Sequence, residues 1–323
     1  MPRWITPIAT VSALAGLVHL AARANVRRIK NNPDPYPLNV LSREPEGEEV
    51  MIERPDGTLI RAITAGSGPP IVFAHGYGAS VQEWNVIWSL LRNDYRLIAY
   101  DQRGHGRSTI GADGIGSAPM AADLGAVLDY FDVQDGVLVG HSMGGFLSII
   151  FMLNHPDIAE AHLAHAMIVG SFAGDVGRGA PQTRLQIPLI QSGIMQRLTQ
   201  TETYGWAFTA SLAGAHPAPA MVEVFRQLFA AQRHGELVPI LRALLAENYY
   251  DRLGEIAIPC TVVYGLNDKT TPALHSKAIY EGIPNARLVS VPEAGHLINW
   301  EAPERIAELI RAVAQPVAVA LPQ

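Results

Sequence analysis

Short runs of consecutive apolar residues alternate along the chain with longer stretches in which apolar residues recur every three or four positions. The short runs are typical of strands buried on both faces of a sheet, and the longer stretches are typical of amphipathic helices. A hairpin with its turn at Asp56-Gly57 comes first. The predicted strands cover residues 50–54, 58–65, 71–74, 96–100, 137–139, 166–170, 259–264 and 287–291. The helices predicted between them cover 81–91, 121–131, a segment beginning near 146, 272–280 and 303–313.

Residues 171–256 interrupt this alternation. They carry helical patterns at 220–233 and 237–246 and no run that predicts a strand. The pattern therefore predicts an α/β fold with a mostly parallel eight-stranded sheet, helices on both faces and a helical insertion after the sixth strand. We predict a core of residues 50–170 and 257–323, a helical insertion at 171–256 and a proline-rich linker at 31–49.

The N-terminal residues 1–30 are predicted to form an apolar helix. Residues 4–22 are nearly all apolar or small, and a helix of this length would measure about 28 Å, close to the hydrocarbon thickness of a bilayer. Three interpretations stay open: a membrane-associated helix, a signal peptide, and a helix that packs on the protein itself or in a homodimer contact. Positive charges behind the segment argue against export and favour the cytoplasm or the cytoplasmic side of a membrane. They are Arg23, Arg27, Arg28 and Lys30.

Charge and cysteine content narrow the classes of function. The net charge is −6 and no basic stripe lies beyond the N-terminal segment, so we expect no nucleic-acid partner. The chain has one cysteine, Cys260, which opens a predicted strand and cannot form an internal disulfide. No Cys and His residues have the spacing of metal ligands, and we predict neither a metal nor another cofactor.

One predicted strand runs straight into a Gly-x-Ser-x-Gly turn. The residues are Val137-Leu138-Val139-Gly140-His141-Ser142-Met143-Gly144-Gly145, and helix-forming residues follow. The glycines of such a turn leave room for a strained backbone that lifts the serine hydroxyl above the sheet edge, where a histidine can reach it. We therefore predict that Ser142 is a nucleophile.

A serine nucleophile needs a base, and the base needs an acid that orients it. Asp268 follows the strand that ends at Tyr264, and His296 follows the strand that ends at Val291. Because the carboxyl ends of parallel strands share one rim of a sheet, both side chains should converge on Ser142. Each could instead be structural, Asp268 as a helix cap and His296 as a loop residue. Together, however, they match the chain order Ser, Asp, His.

Backbone amides that could stabilise an oxyanion are expected in the loop His75-Gly76-Tyr77-Gly78, directly after a predicted strand. Its glycines let the backbone approach a substrate closely. We assign the two oxyanion donors to the amides of Tyr77 and Met143, the latter being the residue after the serine. His75 is expected to be a structural hydrogen-bonding residue.

These motifs together resemble the α/β-hydrolase fold family. They are His-Gly-x-Gly after one strand, residues 101–108 after the next, Gly-His-Ser-Met-Gly-Gly, and the late Asp268 and His296. Within the family the chain is similar to the esterase and monoacylglycerol-lipase branch. The resemblance covers about residues 50–313, and it implies that 171–256 is a lid or cap over the active site. Serine at the turn, where epoxide hydrolases and haloalkane dehalogenases use aspartate, implies acyl chemistry.

The predicted cap is rich in apolar residues and poor in charge, which favours an uncharged substrate. We predict a serine hydrolase that cleaves uncharged carboxylic esters with short-to-medium acyl chains, as a carboxylesterase or monoacylglycerol lipase does, through an acyl-enzyme on Ser142. A lactonase, a carbon–carbon bond hydrolase or a perhydrolase with the same three residues is the alternative, and a non-catalytic signalling protein is a remote one. The expected substrate contacts are Gly76, Trp84, Phe172, Trp206, Leu297 and Trp300.

Overall fold

An eight-stranded sheet forms the centre of the fold. The computed structural model describes residues 5–314, with side chains from residue 16 onward except that of residue 18. Residues 1–4 and 315–323, parts of the predicted N-terminal helix and core, lie outside the described residues. The strands are β1 (Glu48–Glu53), β2 (Leu59–Ala65), β3 (Pro70–Ala74), β4 (Arg96–Tyr100), β5 (Gly136–His141), β6 (Leu163–Val169), β7 (Cys260–Gly265) and β8 (Ala286–Val291).

The strand order is β1-β2-β4-β3-β5-β6-β7-β8. β2 pairs antiparallel with both β1 and β4, and every other pairing is parallel. The predicted α/β fold with a mostly parallel eight-stranded sheet is therefore confirmed. Because β3 and β5 are parallel neighbours, the loop after Ala74 lies beside the turn after His141. β7 and β8 run in the same direction, so the loops that follow them open at the same rim.

Helices cover both faces of this sheet. The helices are α1 (Ile5–Ile29), α2 (Leu38–Leu41), α3 (Asn85–Leu91), α4 (Ser117–Tyr130), α5 (Met143–Asn154), α6 (Pro156–His162), α7 (Pro181–Gln191), α8 (Ile194–Thr199), α9 (Glu202–Ala210), α10 (Pro219–Ala231), α11 (Val238–Ala246), α12 (Ala273–Gly282), α13 (Ile298–Glu301) and α14 (Pro303–Val313), with 3₁₀ turns at Val81–Trp84 and Tyr250–Glu255. Successive strand side chains point to opposite faces, so each strand feeds two cores. Val72 and Leu138 belong to one core, whereas Phe73 and Val139 belong to the other.

The chain between β6 and β7 is helical. It forms α7 to α11, and this fully described stretch contains no strand beyond an isolated bridge between Gly174 and Asn248. The bridge joins the beginning of the insertion to its end. A helical insertion thus lies where the sequence pattern predicted one, after the sixth strand, while its standing as a separate cap domain stays a prediction.

The C-terminal half of α1 packs on this insertion. Val26 and Ile29 are buried against Trp206 of α9 and Val222 of α10. His19 Nδ1 lies 3.0 Å from the hydroxyl of Tyr204. This half of the helix therefore follows the third interpretation, a helix packed on the protein. Among residues 5–314 no helix combines the length and the hydropathy needed to cross a bilayer.

Candidate active site

The turn after β5 holds Ser142 in a strained backbone conformation. Its φ is +51° and its ψ is −116°, a region that residues with a side chain rarely adopt. Neighbouring segments hold the serine backbone in place: the Ser142 amide donates to the carbonyl of Val169 at 2.9 Å, and Ser171 Oγ donates to the Ser142 carbonyl at 2.7 Å. The chain leaves this turn directly into α5, so the serine stands at a helix N-terminus.

Three glycines make this turn sterically feasible. A Cβ atom at Gly144 would lie 2.1 Å from the carbonyl oxygen of Ala74, and one at Gly140 would lie 2.7 Å from the carbonyl oxygen of Gly144. A Cβ at Gly145 would lie 2.7 Å from Cβ of Ser171. The Gly-x-Ser-x-Gly-Gly spacing therefore reflects the close approach of β3, β5 and the segment after β6.

Ser142, His296 and Asp268 form one hydrogen-bonded line. His296 Nδ1 lies 2.8 Å from Asp268 Oδ2, and His296 Nε2 lies 3.0 Å from Ser142 Oγ. Because a carboxylate only accepts, Nδ1 carries the ring proton and Nε2 is left to accept from the serine hydroxyl. All three residues are buried, with 6–8% of their surface exposed. The structure thus brings together the three residues that the sequence singled out.

Two threonines hold the carboxylate of Asp268. Asp268 Oδ1 accepts the backbone amides of Thr270 and Thr271 at 2.8 and 2.9 Å, and Asp268 Oδ2 accepts the Thr271 hydroxyl at 2.7 Å. Burial raises the pKa of Asp268, but His296 and the Thr271 donors outweigh it and hold that pKa below its usual value. Asp268 therefore has both roles: its carboxylate makes the turn-type hydrogen bonds expected of a structural aspartate, and it also orients His296.

Thr271 is a residue that the sequence analysis missed. Besides donating toward Asp268, its hydroxyl lies 2.9 Å from the carbonyl oxygen of Gly170 and 3.3 Å from His296 Nδ1. An Asp-x-x-Thr spacing before a proline-led helix is a weak signal for such a contact, because it is equally typical of an ordinary turn.

The loop after β3 lies beside the serine turn. Its Gly76 comes so close that an added Cβ would be 3.3 Å from Cβ of Ser142. Gly78 has a φ of +76°, and a Cβ there would meet the ring of Phe229 at 2.6 Å. Within residues 5–314 the backbone amides of Tyr77 and Met143 have no protein acceptor. Both predicted oxyanion donors are therefore free to bind a ligand.

His75 is a buried hydrogen-bonding residue. Its Nδ1 lies 2.8 Å from the carbonyl oxygen of Gly76, and its Nε2 accepts the backbone amide of Gln102 at 3.0 Å. Burial lowers the pKa of His75, which favours the neutral ring that this pattern requires. Both ring nitrogens are occupied by the backbone, in agreement with the structural role that the sequence predicted.

An apolar cavity opens above Ser142 and His296. Its empty volume, including the opening to solvent, is about 610 Å³. Its walls come mainly from the helical insertion, and no Asp, Glu, Lys or Arg is among the described residues that line it. The lining side chains include Tyr77, Phe172, Val176, Thr183, Gln186, Ile187, Ile190, Phe208, Leu212, Phe225, Phe229, Leu241, Leu244 and Thr270. Phe172 is thus the one predicted substrate contact that lines this cavity.

The structure corrects the other predicted substrate contacts. Trp84 is fully buried against Phe73, with ring centroids 4.8 Å apart, and Trp206 packs under α1. Trp300 donates from Nε1 to Asn85 Oδ1 at 3.2 Å, and Leu297 is buried in the core. In sequence these residues lie in the insertion or near the loops that carry Tyr77, Ser142 and His296 (the reactive loops), but their side chains point into cores. Gly76 leaves room beside Ser142 and does not line the cavity.

No group of three or more His, Cys, Asp and Glu residues suited to a metal ion occurs in the part of the chain that the structure describes.

Comparison with known proteins identifies the family. The sequence profile described as alpha/beta hydrolase fold matches residues 69–303. The chain is 29% identical over 257 residues to a non-heme haloperoxidase of Rhodococcus erythropolis (75% of this chain, 90% of the relative). It is 26% identical over 246 residues to 3-oxoadipate enol-lactonase 2 of Acinetobacter baylyi (76% and 88%). The solved structure of the esterase RhEst1 from Rhodococcus sp. ECU1013 is similar, with a TM-score of 0.71 at 26% identity (82% and 98%). The chain belongs to the α/β-hydrolase fold family.

Proposed function

We propose that this protein is a serine hydrolase that cleaves uncharged carboxylic esters with short-to-medium acyl chains through an acyl-enzyme on Ser142. The observation that carries the proposal is the hydrogen-bonded line from Ser142 Oγ through His296 to Asp268 at the floor of an apolar cavity. A serine hydroxyl becomes a competent nucleophile only beside such an oriented base.

The geometry supports an ordered sequence of proton transfers. His296 Nε2 takes the hydroxyl proton as Ser142 Oγ attacks the ester carbonyl, and Asp268 stabilises the imidazolium that forms. The amides of Tyr77 and Met143 bind the oxyanion of the tetrahedral intermediate. His296 then gives its proton to the leaving alcohol, and a water molecule activated by His296 releases the acid from Ser142.

The cavity supports the choice of substrate class. Aromatic and aliphatic side chains make up most of its lining, and the described residues bring no formal charge other than that of a protonated His296. A carboxylate or phosphate on the substrate would lose its hydration there without gaining a partner. For a neutral acyl chain, by contrast, each methylene that leaves water makes the free energy of binding more favourable.

A lactone is the second candidate substrate. The similarity to an enol-lactonase of Acinetobacter baylyi supports it. A lactone is an internal ester, so the same attack by Ser142 opens the ring and leaves the alcohol tethered to the acyl group.

A p-nitrophenyl ester series from acetate to palmitate, measured beside lactone ring opening in a pH-stat, tests the proposal. We expect turnover to peak at a short or medium chain and to fall at least about a thousandfold in Ser142→Ala. Ser192→Ala, which removes an exposed serine of the insertion, is the matched control and should retain wild-type turnover. Lactone opening without ester turnover would support the second candidate, and full activity in Ser142→Ala would reject both.

A further inference from the structure

A buried carboxylate and a buried imidazole lie directly beneath the reactive loops and outside the line from Ser142 to Asp268. Glu83, in the 3₁₀ turn that follows the 75–78 loop, is 3% exposed, and His141 is 2% exposed. Glu83 Oε1 lies 2.6 Å from His141 Nδ1. Neither side chain lines the cavity, so neither is in a position to touch a substrate.

The remaining hydrogen bonds of this pair go to backbone atoms of the loops that carry Gly76 and His296. Glu83 Oε2 accepts the amide of Gly76 at 2.9 Å, one residue before the Tyr77 amide. His141 Nε2 lies 2.9 Å from the carbonyl oxygen of His296. His141 itself immediately precedes Ser142. Two side chains thus join the loop after β3, the serine turn and the loop that carries His296.

The hydrogen-bond partners restrict where protons can reside on the pair. A carbonyl oxygen only accepts, so His141 Nε2 must carry a proton, and Glu83 must keep an oxygen free for the Gly76 amide. Burial lowers the pKa of His141, but the neighbouring Glu83 outweighs it and the net pKa is raised. Burial alone would raise the pKa of Glu83, but the neighbouring His141 outweighs this effect, and the net pKa is lowered. These opposite pKa directions favour an imidazolium beside a carboxylate.

Packing alone does not require this arrangement. Burying two charges carries a large desolvation cost before their attraction is counted, and well-packed apolar residues often replace such pairs without loss of stability. The neighbouring backbone is also shaped to admit the pair, because a Cβ at Gly76 would lie 3.1 Å from His141 Nδ1. What the pair supplies, and an apolar pair could not, is directional hydrogen bonds to the loop after β3 and to the loop that carries His296, from a pair whose histidine directly precedes Ser142.

We propose that Glu83 and His141 are positioning residues that hold the Tyr77 amide and the backbone of His296 in register with Ser142 Oγ. This inference rests on the proposed ester hydrolysis. Displacement of a reacting group by about 1 Å can cost about a hundredfold in rate, so a small shift of either loop would be felt in kcat.

Two substitutions of Glu83 distinguish the effect of its side-chain length from the effect of its charge. Glu83→Gln keeps the length of the side chain: its carbonyl oxygen can accept from Gly76 while its amide donates to a neutral His141. Glu83→Asp keeps the charge but is one methylene too short to reach both partners. Each variant is assayed with the best p-nitrophenyl ester, and kcat is expressed per active site titrated with a fluorophosphonate, so that unfolded protein is not counted.

Positioning predicts that Glu83→Gln stays within about fivefold of the wild-type kcat, whereas Glu83→Asp loses about 10- to 100-fold in kcat with KM within about threefold. The affinity of a trifluoromethyl ketone, which forms a tetrahedral oxyanion adduct on serine, should fall in parallel in Glu83→Asp. If both variants match wild type per titrated site and differ only in Tm, the pair is merely structural and the inference is overturned. If Glu83→Gln is the inactive variant, the charge and not the position matters, which also overturns it. Failure of the proposed function is distinguishable, because it would appear as a wild type without esterase activity.

Discussion

The Nε2 atom of His296 lies 3.0 Å from Oγ of Ser142, although the two residues are 154 positions apart in the chain. The distance suits a hydrogen bond from the serine hydroxyl only if the ring proton resides on Nδ1. Asp268, 2.8 Å from Nδ1, is the group that fixes it there. The reactivity proposed for Ser142 therefore depends on a residue that it does not touch.

Replacement of Asp268 by asparagine should abolish most of the activity. An asparagine amide can donate to Nδ1 and would then stabilise the tautomer with its proton on Nε2, which cannot accept from Ser142. We expect kcat to fall about 10³- to 10⁴-fold with little change in fold. Steady-state kinetics and a circular dichroism spectrum measure the two effects.

Asp175→Asn is the control for this substitution. Asp175 is a partly exposed aspartate of the insertion that pairs with Arg184 at 2.5 Å. We expect wild-type activity in Asp175→Asn. Activity retained in Asp268→Asn and lost in Asp175→Asn would show that the orienting acid is misassigned.

Removal of the Thr271 hydroxyl should weaken the site without destroying it. Thr271→Val removes the hydroxyl whose single proton is shared between Asp268 Oδ2 and the carbonyl oxygen of Gly170. The pKa of Asp268 should rise, because one of the groups that lower it is gone. We expect kcat to fall about tenfold, since a hydrogen bond to a charged group contributes about 1.5–3 kcal/mol.

Thr270→Val serves as the comparison, because Thr270 bonds Asp268 through its backbone amide, which the substitution keeps. Its kcat should stay within about threefold of wild type, and a change in KM is acceptable because Thr270 lines the cavity. Equal losses of kcat in the two variants would contradict a specific role for the Thr271 hydroxyl.

Gly144→Ala should be severely destabilising. Its new methyl group would lie 2.1 Å from the carbonyl oxygen of Ala74, a backbone atom that cannot move without displacing β3. We expect a loss of about 3 kcal/mol or more in the free energy of unfolding, together with loss of activity. Gly235→Ala adds the same methyl group where nothing lies within 4 Å and should change stability little. Urea unfolding of both variants tests the difference, and equal stability would contradict the close approach at the serine turn.

The stability of the protein should depend on pH through Glu301. Its carboxylate accepts the amides of Gly214 and Gly295 at 2.6 and 2.9 Å, which ties the helical insertion to the loop of His296. Burial raises the pKa of Glu301 to about 7. Because the folded pKa lies above the unfolded one, the folded state binds the proton more tightly, and this contribution to stability is lost as the pH rises from about 4.5 through about 7.

Glu301→Gln should remove this dependence. Relative to that variant, wild type should lose about 2 kcal/mol in the free energy of unfolding between pH 5.5 and pH 8, since one pKa unit corresponds to about 1.4 kcal/mol. Glu293→Gln, at a neighbouring exposed carboxylate, is the control and should follow wild type. Parallel pH profiles for wild type and Glu301→Gln would show that the pKa of Glu301 is not raised.

The sequence pattern was sufficient to predict the sheet, the helical insertion and the three residues that meet at the rim of the sheet. Strand ends in a parallel sheet converge by geometry, so Ser142, Asp268 and His296 could be placed near one another from their positions in the chain. Chain position does not determine side-chain direction. Trp84 and Trp300 follow the reactive loops in sequence, yet the first lies in the core against Phe73 and the second bonds Asn85.

Contacts between distant segments could not be predicted either, because chain position does not determine where a side chain points. The pairing of Glu83 with His141 joins a 3₁₀ turn to a strand end, and no spacing rule connects them. The packing of Trp206 under α1 could not be predicted without the position of the N-terminal helix, and the sequence left three interpretations of that helix open.

The most direct test of the proposed mechanism is to look for the acyl-enzyme on Ser142. Wild type is mixed with a short p-nitrophenyl ester, quenched in acid within milliseconds and digested, and the peptides are measured by mass spectrometry. An acyl-enzyme mechanism predicts that one acyl group is added, that fragmentation locates it on Ser142, and that His296→Ala forms it far more slowly. Ester turnover with no acyl group on Ser142, or with the group on another residue, would contradict the role of Ser142 as the nucleophile.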